Sequence, residues 1–210
     1  MSRGQRLLVT TLALPAARVV GNAGGVRLFV AVLLAEEVRR GLARTLNALR
    51  AAGGPVSWVA PDNLHLTLKF LGELPEPTLE AALDATNRAA QGAARFDLEV
   101  AGVSAFPERR PRVVAAGASD RPSTLAGLAA SLEDESAALG VPREDRPFRA
   151  HVTLGRVKGP PGARLGAAIA GLARMEFGAQ PVSEIALVRS RLTAAGAVYS
   201  VVEVFGLAGD

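Results

Sequence analysis

An α+β fold of two pseudo-symmetric lobes around a central cleft is predicted by three features of the sequence. Runs rich in β-branched and apolar residues alternate with segments of helical spacing. The two histidines of the chain, His65 and His151, each open the same pattern of His, one residue, Thr, Leu. Strand-like text recurs at the same distance from both, with Val113 lying 48 residues past His65 and Tyr199 lying 48 past His151. Internal repetition of this kind predicts a duplicated unit, each copy running motif strand, helix, strand, turn, strand.

The elements follow in order. "RLFVAVLL" (Arg27–Leu34) is a continuous apolar run that suits a buried strand. Glu36–Arg50 places Val38, Leu42, Leu46 and Leu49 on one helical face, and Gly53, Gly54 and Pro55 end it. An extended segment, a turn at Pro61–Asn63 and a strand through Leu64–Leu71 come next, then an Ala-rich helix with Thr78 as its expected cap. "RFDLEVAGVSAF" and "PRVVAAG" read as two strands joined by the basic turn "PERR". The second half gives a helix over 123–139, the strand "HVTLGRV", a helix over 163–174, and the strands "SEIALVRSRL" and "AVYSVVEVFGL" around "TAAGA". No linker-like stretch divides the halves, so residues 26–210 read as one bilobal domain. The opening "MSRGQRLLVTTLALPAARVVGNAGG" loosely resembles a secretory signal, but its apolar run is short and broken by Thr10 and Thr11. Residues 1–25 read instead as a disordered tail or as text upstream of the true start. No segment is suited to crossing a membrane, and a monomer in the cytoplasm is the expectation.

Composition narrows the chemistry. Hydrophobic residues make up 49% of the 210-residue chain, which excludes a largely disordered protein. The net charge of +4 rests on arginine, because Lys69 and Lys158 are the only lysines. That balance fits an anionic partner, since guanidinium forks bind phosphate oxygens in pairs, and it equally fits a compositional bias toward Ala, Gly and Arg. Without cysteine there is no disulfide, thiol nucleophile or cysteine zinc site.

On a strand, residues two apart share a face. His65 and Thr67 therefore project together, as do His151 and Thr153, while Leu66, Leu68, Val152 and Leu154 turn into the packing. Two symmetric lobes would bring two imidazoles and two hydroxyls into one cleft, with the motif strands facing each other. Displacement at phosphorus needs a base for the attacking oxygen and an acid for the leaving one. Two groups with an unperturbed pKa of about 6.5 can divide those roles near neutral pH. Hydroxyls and an arginine can hold the non-bridging oxygens, and no metal or other cofactor is called for. The competing readings have less support. A His-x-Thr in a strand is often just packing, but here the pattern takes every histidine of the chain. No further ligand motif accompanies the histidines for zinc, and no nucleophile elbow supports a Ser-His-Asp triad. The residues alone do not say which histidine is acid and which is base.

With this surrounding text the chain resembles the two-histidine (2H) phosphoesterases, and specifically the RNA 2′,3′-cyclic phosphodiesterases formerly called 2′-5′ RNA ligases. The stretches that carry the resemblance are "RLFVAV", "W..P.NLHLTLKFLGEL", "F......PRVV", "R.FRAHVTLGRV" and "RSRLTAAGAVYSV", spanning Arg27 to Phe205. It implies a metal-independent hydrolysis that opens an RNA 2′,3′-cyclic phosphate end to a 2′-phosphate. His65 would give a proton to the leaving 3′ oxygen and His151 would take one from water. Thr67, Thr153 and Arg156 would bind phosphate oxygens, and Phe70 would stack on a base. Strict alternation turns Phe70 and Arg156 away from the histidines, so both roles require a twist or bulge in the strands. Two other readings stay open: an RNA-end or nucleotide-binding module with little turnover, supported by Arg109, Arg110, Arg112, Arg143, Arg146 and Arg149, and the same chemistry on a small cyclic nucleotide. One departure is Ala150, where the family usually has proline.

Overall fold

The computed structural model describes residues 25–194 and 196–209. The signal-like opening run, the expected tail up to residue 24 and Ala195 of the "TAAGA" turn lie outside the described residues. The elements are β1 (Val26–Leu33), α1 (Glu36–Ala51), β2 (Val56–Trp58), β3 (His65–Leu74), α2 (Leu79–Gln91), β4 (Phe96–Phe106) and β5 (Val113–Ser119). Then come α3 (Thr124–Ala137), β6 (His151–Val157), α4 (Gly162–Gly171), β7 (Glu176–Val182), β8 (Glu184–Thr193) and β9 (Gly196–Gly206). Short 3-10 turns occupy Pro61–Asn63 and Glu76–Thr78.

The α+β reading holds, with the lobes fused into a single antiparallel sheet in the order β7-β4-β5-β6-β3-β1-β8-β9, and β2 paired beside β6. The order is mirrored about its centre. β6 answers β3, β5 answers β1, and β4 answers β8. The helices obey the same pairing, α1 joining β1 toward β3 as α3 joins β5 to β6. The repeat is therefore strand, helix, motif strand, helix, strand, offset from the unit that the spacing of 48 suggests. Each copy sends its last strand into the other lobe, because β4 pairs with β5 and β8 pairs with β1. The sheet also curls. Gln180 of β7 accepts a hydrogen bond from the Ala35 amide at 2.7 Å and donates one to the Leu33 carbonyl at 3.0 Å. Those contacts bring one edge of the order against the end of β1.

Among the described residues, the four α-helices pack on one face of this sheet. Leu42, Leu46 and Leu49 of α1, Ala82 and Ala89 of α2, Leu125, Leu128 and Leu132 of α3, and Leu165 of α4 close over Leu28, Val30, Leu66, Leu98, Val114, Val152 and Leu154. Each such leucine contributes about 1.5–3 kcal/mol of burial. The opposite face carries a smaller cluster of Phe29, Ala31, Ala186 and Val188 with Tyr199 and Val201 packed on it. That helix-free face holds the histidines.

Two expectations need correction, and one strand goes beyond them. The motif strands do not face one another across the cleft: they are neighbours in the sheet, joined at the single pair Leu66–Val152. β7 has no counterpart in the sequence pattern, because Gly178 at φ 116° and Pro181 break the alternation that marks a strand, and it survives as an edge strand paired only with β4. Thr78 stands before α2 in helical geometry, with no side-chain capping bond, since a 3-10 turn already leads into the helix.

Candidate active site

The pair Leu66–Val152 sets the site. In an antiparallel register its neighbours fall opposite one another, so His65 stands across from Thr153 and His151 across from Thr67. Leu66 and Val152 are buried on the helix side, while all four polar residues are partly exposed on the other. Beyond that pair the strands separate, and β2 takes the flank of β6 through Trp58–Gly155, Ser57–Arg156 and Val56–Val157.

Both strands then bulge at the same place. β1 skips Leu68 in its register with β3, pairing Val30 with Lys69 and Ala31 with Thr67. β5 skips Leu154 in its register with β6, pairing Val114 with Gly155 and Ala115 with Thr153. Leu68 and Leu154 are each the third residue after a histidine. The extra residue makes two consecutive positions face the core, Leu68 with Lys69 and Leu154 with Gly155, all buried. It also returns the fifth residue after each histidine to the histidine face. Phe70 pairs with Phe29, whose ring contacts both Phe70 and His65, and Arg156 pairs with Val113 across from Phe106. The structure thus brings together His65, Thr67, His151 and Thr153, and sets Phe70, 45% exposed, and the exposed Arg156 at symmetry-related places beside them.

The two imidazoles are held alike. Nδ1 of His65 donates to the Asn63 carbonyl and Nδ1 of His151 to the Arg149 carbonyl, both at 2.7 Å. A carbonyl only accepts, so Nδ1 carries the hydrogen in each ring and Nε2 is the nitrogen left for chemistry. On the His65 side the Thr67 hydroxyl lies 3.0 Å from that Nε2. Asn63 itself is pinned by its side chain, which donates to the Ala197 carbonyl at 2.8 Å. Ala150, in the place of the expected proline, accepts from the Ala118 amide at 3.3 Å and so carries the β5 ladder to the residue before His151.

Their surroundings differ. His65 stacks on Phe29 with centroids 4.8 Å apart and meets the edge of Tyr199 at 5.3 Å. Burial among these rings lowers its pKa from the ordinary 6.5, the Asn63 carbonyl opposes the shift, and the nearby His151 adds to it. His151 instead touches the edge of Phe106 at 5.2 Å, and the Arg149 guanidinium lies 5.5 Å over that same ring. Sequence patterns do not single out Phe29, Tyr199, Phe106 or Asn63 as site residues, and they mark Arg149 only as one of several arginines suited to an anionic partner, not as a neighbour of His151. For two of them the only available signal is position, since the residue two before each histidine holds its ring by a main-chain carbonyl that any residue type supplies. Among the described residues, no three His, Cys, Asp or Glu side chains gather as metal ligands, and no helix is long and apolar enough to cross a membrane.

Comparison with known proteins agrees with this geometry. The profile of the LigT like phosphoesterases matches residues 32–115 and again residues 117–199, a tandem match in keeping with the duplicated sheet. An RNA 2′,3′-cyclic phosphodiesterase of Methanothermobacter thermautotrophicus is 39% identical over 184 residues, covering 87% of this chain and 99% of that protein. The crystal structure of a Thermus thermophilus protein, TT0787, superposes with a TM-score of 0.74 at 38% identity, covering 88% of this chain and 99% of that one. Escherichia coli LigT complexed with 3′-AMP superposes with a TM-score of 0.68 at 28% identity, over 87% of this chain and 98% of that one. The repeated His-x-Thr strands, their matched bulges and the twofold profile match all lead to one assignment: the chain belongs to the LigT-like phosphoesterases of the two-histidine family.

Proposed function

We propose that the protein hydrolyses the 2′,3′-cyclic phosphodiester at the end of an RNA to a 2′-phosphomonoester, using His65 and His151 as an acid and base pair without a metal ion. The observation that carries this reading is the quartet His65, Thr153, His151 and Thr67 built around the pair Leu66–Val152. The name of the Methanothermobacter relative and the 3′-AMP bound to the Escherichia coli protein support the substrate class.

In the step proposed, water adds to phosphorus as the bond from phosphorus to the 3′ oxygen breaks. Nε2 of one histidine takes the proton of the water, and Nε2 of the other gives a proton to the departing 3′ oxygen. Thr67, Thr153 and Arg156 neutralise the non-bridging oxygens as charge builds there. The family resemblance gives the acid to His65 and the base to His151. Burial works against a protonated His65 in the free protein. We therefore assign the loading of that proton to the bound phosphate, whose negative charge favours an imidazolium beside it. Phe70, half exposed beside Phe29 and His65, offers a stacking face for the terminal base.

The test is to incubate the protein and its His151→Ala variant, in chelator, with a short RNA ending in a 2′,3′-cyclic phosphate, and to follow the end group by phosphorus NMR. The expected product is a 2′-phosphate from the unmodified protein, with the variant slower by at least about a hundredfold. Binding of that RNA without any product would replace this reading by that of an RNA-end-binding module.

A further inference from the structure

The scaffold is symmetric and its decoration is not. The fifth residue after each histidine is a ring on one lobe, Phe70, and a cation on the other, Arg156. The difference extends outward. The His65 lobe carries Phe29 and Tyr199 beside Phe70. The His151 lobe carries Phe106 under Arg149, and from Phe106 begins the turn between β4 and β5.

That turn is fixed beside the site at both ends. Phe106 meets His151 edge-on at 5.2 Å, the Arg112 amide donates to the Phe106 carbonyl at 2.9 Å, and the Arg112 carbonyl accepts from the Val157 amide at 2.9 Å, next to Arg156. Between these anchors stand Glu108, Arg109 and Arg110, all exposed. Arg110 is four residues from Phe106, so its backbone lies within about 14 Å of it even on a fully extended chain. The neighbouring segment before His151 adds Arg143, Arg146 and Arg149. Arg143 is engaged by Asp134 at 2.6 Å. Among the described residues, Arg109, Arg110, Arg112, Arg146 and Arg149 form no ion pair. Exposed guanidinium groups without carboxylate partners, on the turn anchored beside His151 and on the segment that leads into it, suit the phosphates of a flexible strand.

Resting on the phosphodiesterase reading and extending it, we propose that the RNA strand upstream of the reacting end leaves the cleft over the His151 lobe, its phosphates held by Arg109, Arg110, Arg112 and Arg149. The terminal base then sits on the Phe70 side. The substrate is a polynucleotide end in preference to a free cyclic mononucleotide. The opposite exit is less suited to phosphates. It holds a cavity of about 550 Å³ lined by Arg27, Arg191 and Ser190, and the carboxylate of Glu73 shares that cavity.

The test compares a short oligouridylate ending in a 2′,3′-cyclic phosphate with uridine 2′,3′-cyclic monophosphate, using the unmodified protein and the double variant R109Q/R110Q. The unmodified protein should favour the oligomer in kcat/KM. The double variant should lose roughly tenfold more on the oligomer than on the mononucleotide, mostly in KM. Binding of labelled oligomer should show a salt slope shallower by about 1.4 in the variant, two contacts at about 0.7 each on a single strand. Equal losses on the two substrates, an unchanged salt slope, or a larger oligomer loss in R27Q/R191Q would each overturn the proposed path. Failure of the unmodified protein to open either substrate would defeat the phosphodiesterase reading instead, and the salt slope of oligomer binding would still decide the path of the strand.

Discussion

His65 and His151 make the same hydrogen bond to the carbonyl two residues back, yet only His65 is stacked on one ring and edged by a second. Its lowered pKa has a consequence for stability. The unfolded chain takes up a proton near the ordinary 6.5 of the free side chain, while folded His65 resists protonation until lower pH. Stability is therefore fully present above 6.5 and is lost as pH falls from there toward the folded pKa. Melting temperature measured at closely spaced pH values should drop across that window, and His65→Gln should flatten the drop. An identical slope in the variant would mean that other groups cause it. A second residue with an outsized role is Lys69, whose side chain is 1% exposed and donates to Glu133 at 2.7 Å and to the Pro142 carbonyl at 3.0 Å. It ties the motif strand β3 to α3 and to the segment leading into His151. Glu133→Gln leaves that ammonium without its counter-charge. Because Glu133 is 21% exposed, we expect a loss of about 2–3 kcal/mol, less than for a fully buried pair, measurable by urea unfolding. Nothing in "LTLKFL" announces a buried cation, since the partners lie 64 and 73 residues away.

At the scale of the element, the matched bulges are what let two strands present a histidine, a threonine and a fifth residue on one face. The alternation rule marks His65, Thr67, His151 and Thr153 as sharing a face from sequence alone. It also exposes the conflict over Phe70 and Arg156, which the bulges at Leu68 and Leu154 remove. Their position is not readable in the sequence, because an inserted residue shows only against the partner strand. The bulge turns Gly155 toward the helix side, where a Cβ would lie 2.6 Å from Val56 Cγ1 and 2.7 Å from Trp58 Cε3. Gly155→Ala should thus push β2 away from β6 and cost about 1–3 kcal/mol, with a change in Trp58 fluorescence of the folded protein. Unaltered fluorescence and stability would show that β2 yields freely. The same rule fails for β7, whose glycine and proline hide a strand that exists because β4 offers it a pairing edge.

For the whole molecule, the twofold scheme is visible in the paired tetrapeptides, but its true unit is not. The spacing of 48 aligns the β4–β5 hairpin with the β8–β9 hairpin, whereas the sheet pairs β5 with β1 in its symmetry and exchanges β4 and β8 between the lobes. Topology of that kind is a matter of which edge a strand finds, and no local pattern encodes it. Because each lobe is completed by a strand from the other half of the chain, neither has a sheet of its own to keep. Denaturant unfolding followed by Trp58 fluorescence and by far-ultraviolet circular dichroism should give one coincident transition, and two separated transitions would mean that the lobes are independent. At the site that this exchange creates, we propose, two imidazoles on adjacent strands divide the work of acid and base. The deciding measurement of that division is the pH profile of kcat/KM on a cyclic-ended RNA, in chelator, for the unmodified protein and for His65→Ala and His151→Ala separately. The unmodified protein should give a bell, and each variant a rate lower by at least about a hundredfold with one limb of the bell missing. A variant that keeps the full bell at the unmodified rate would rule out this division of acid and base.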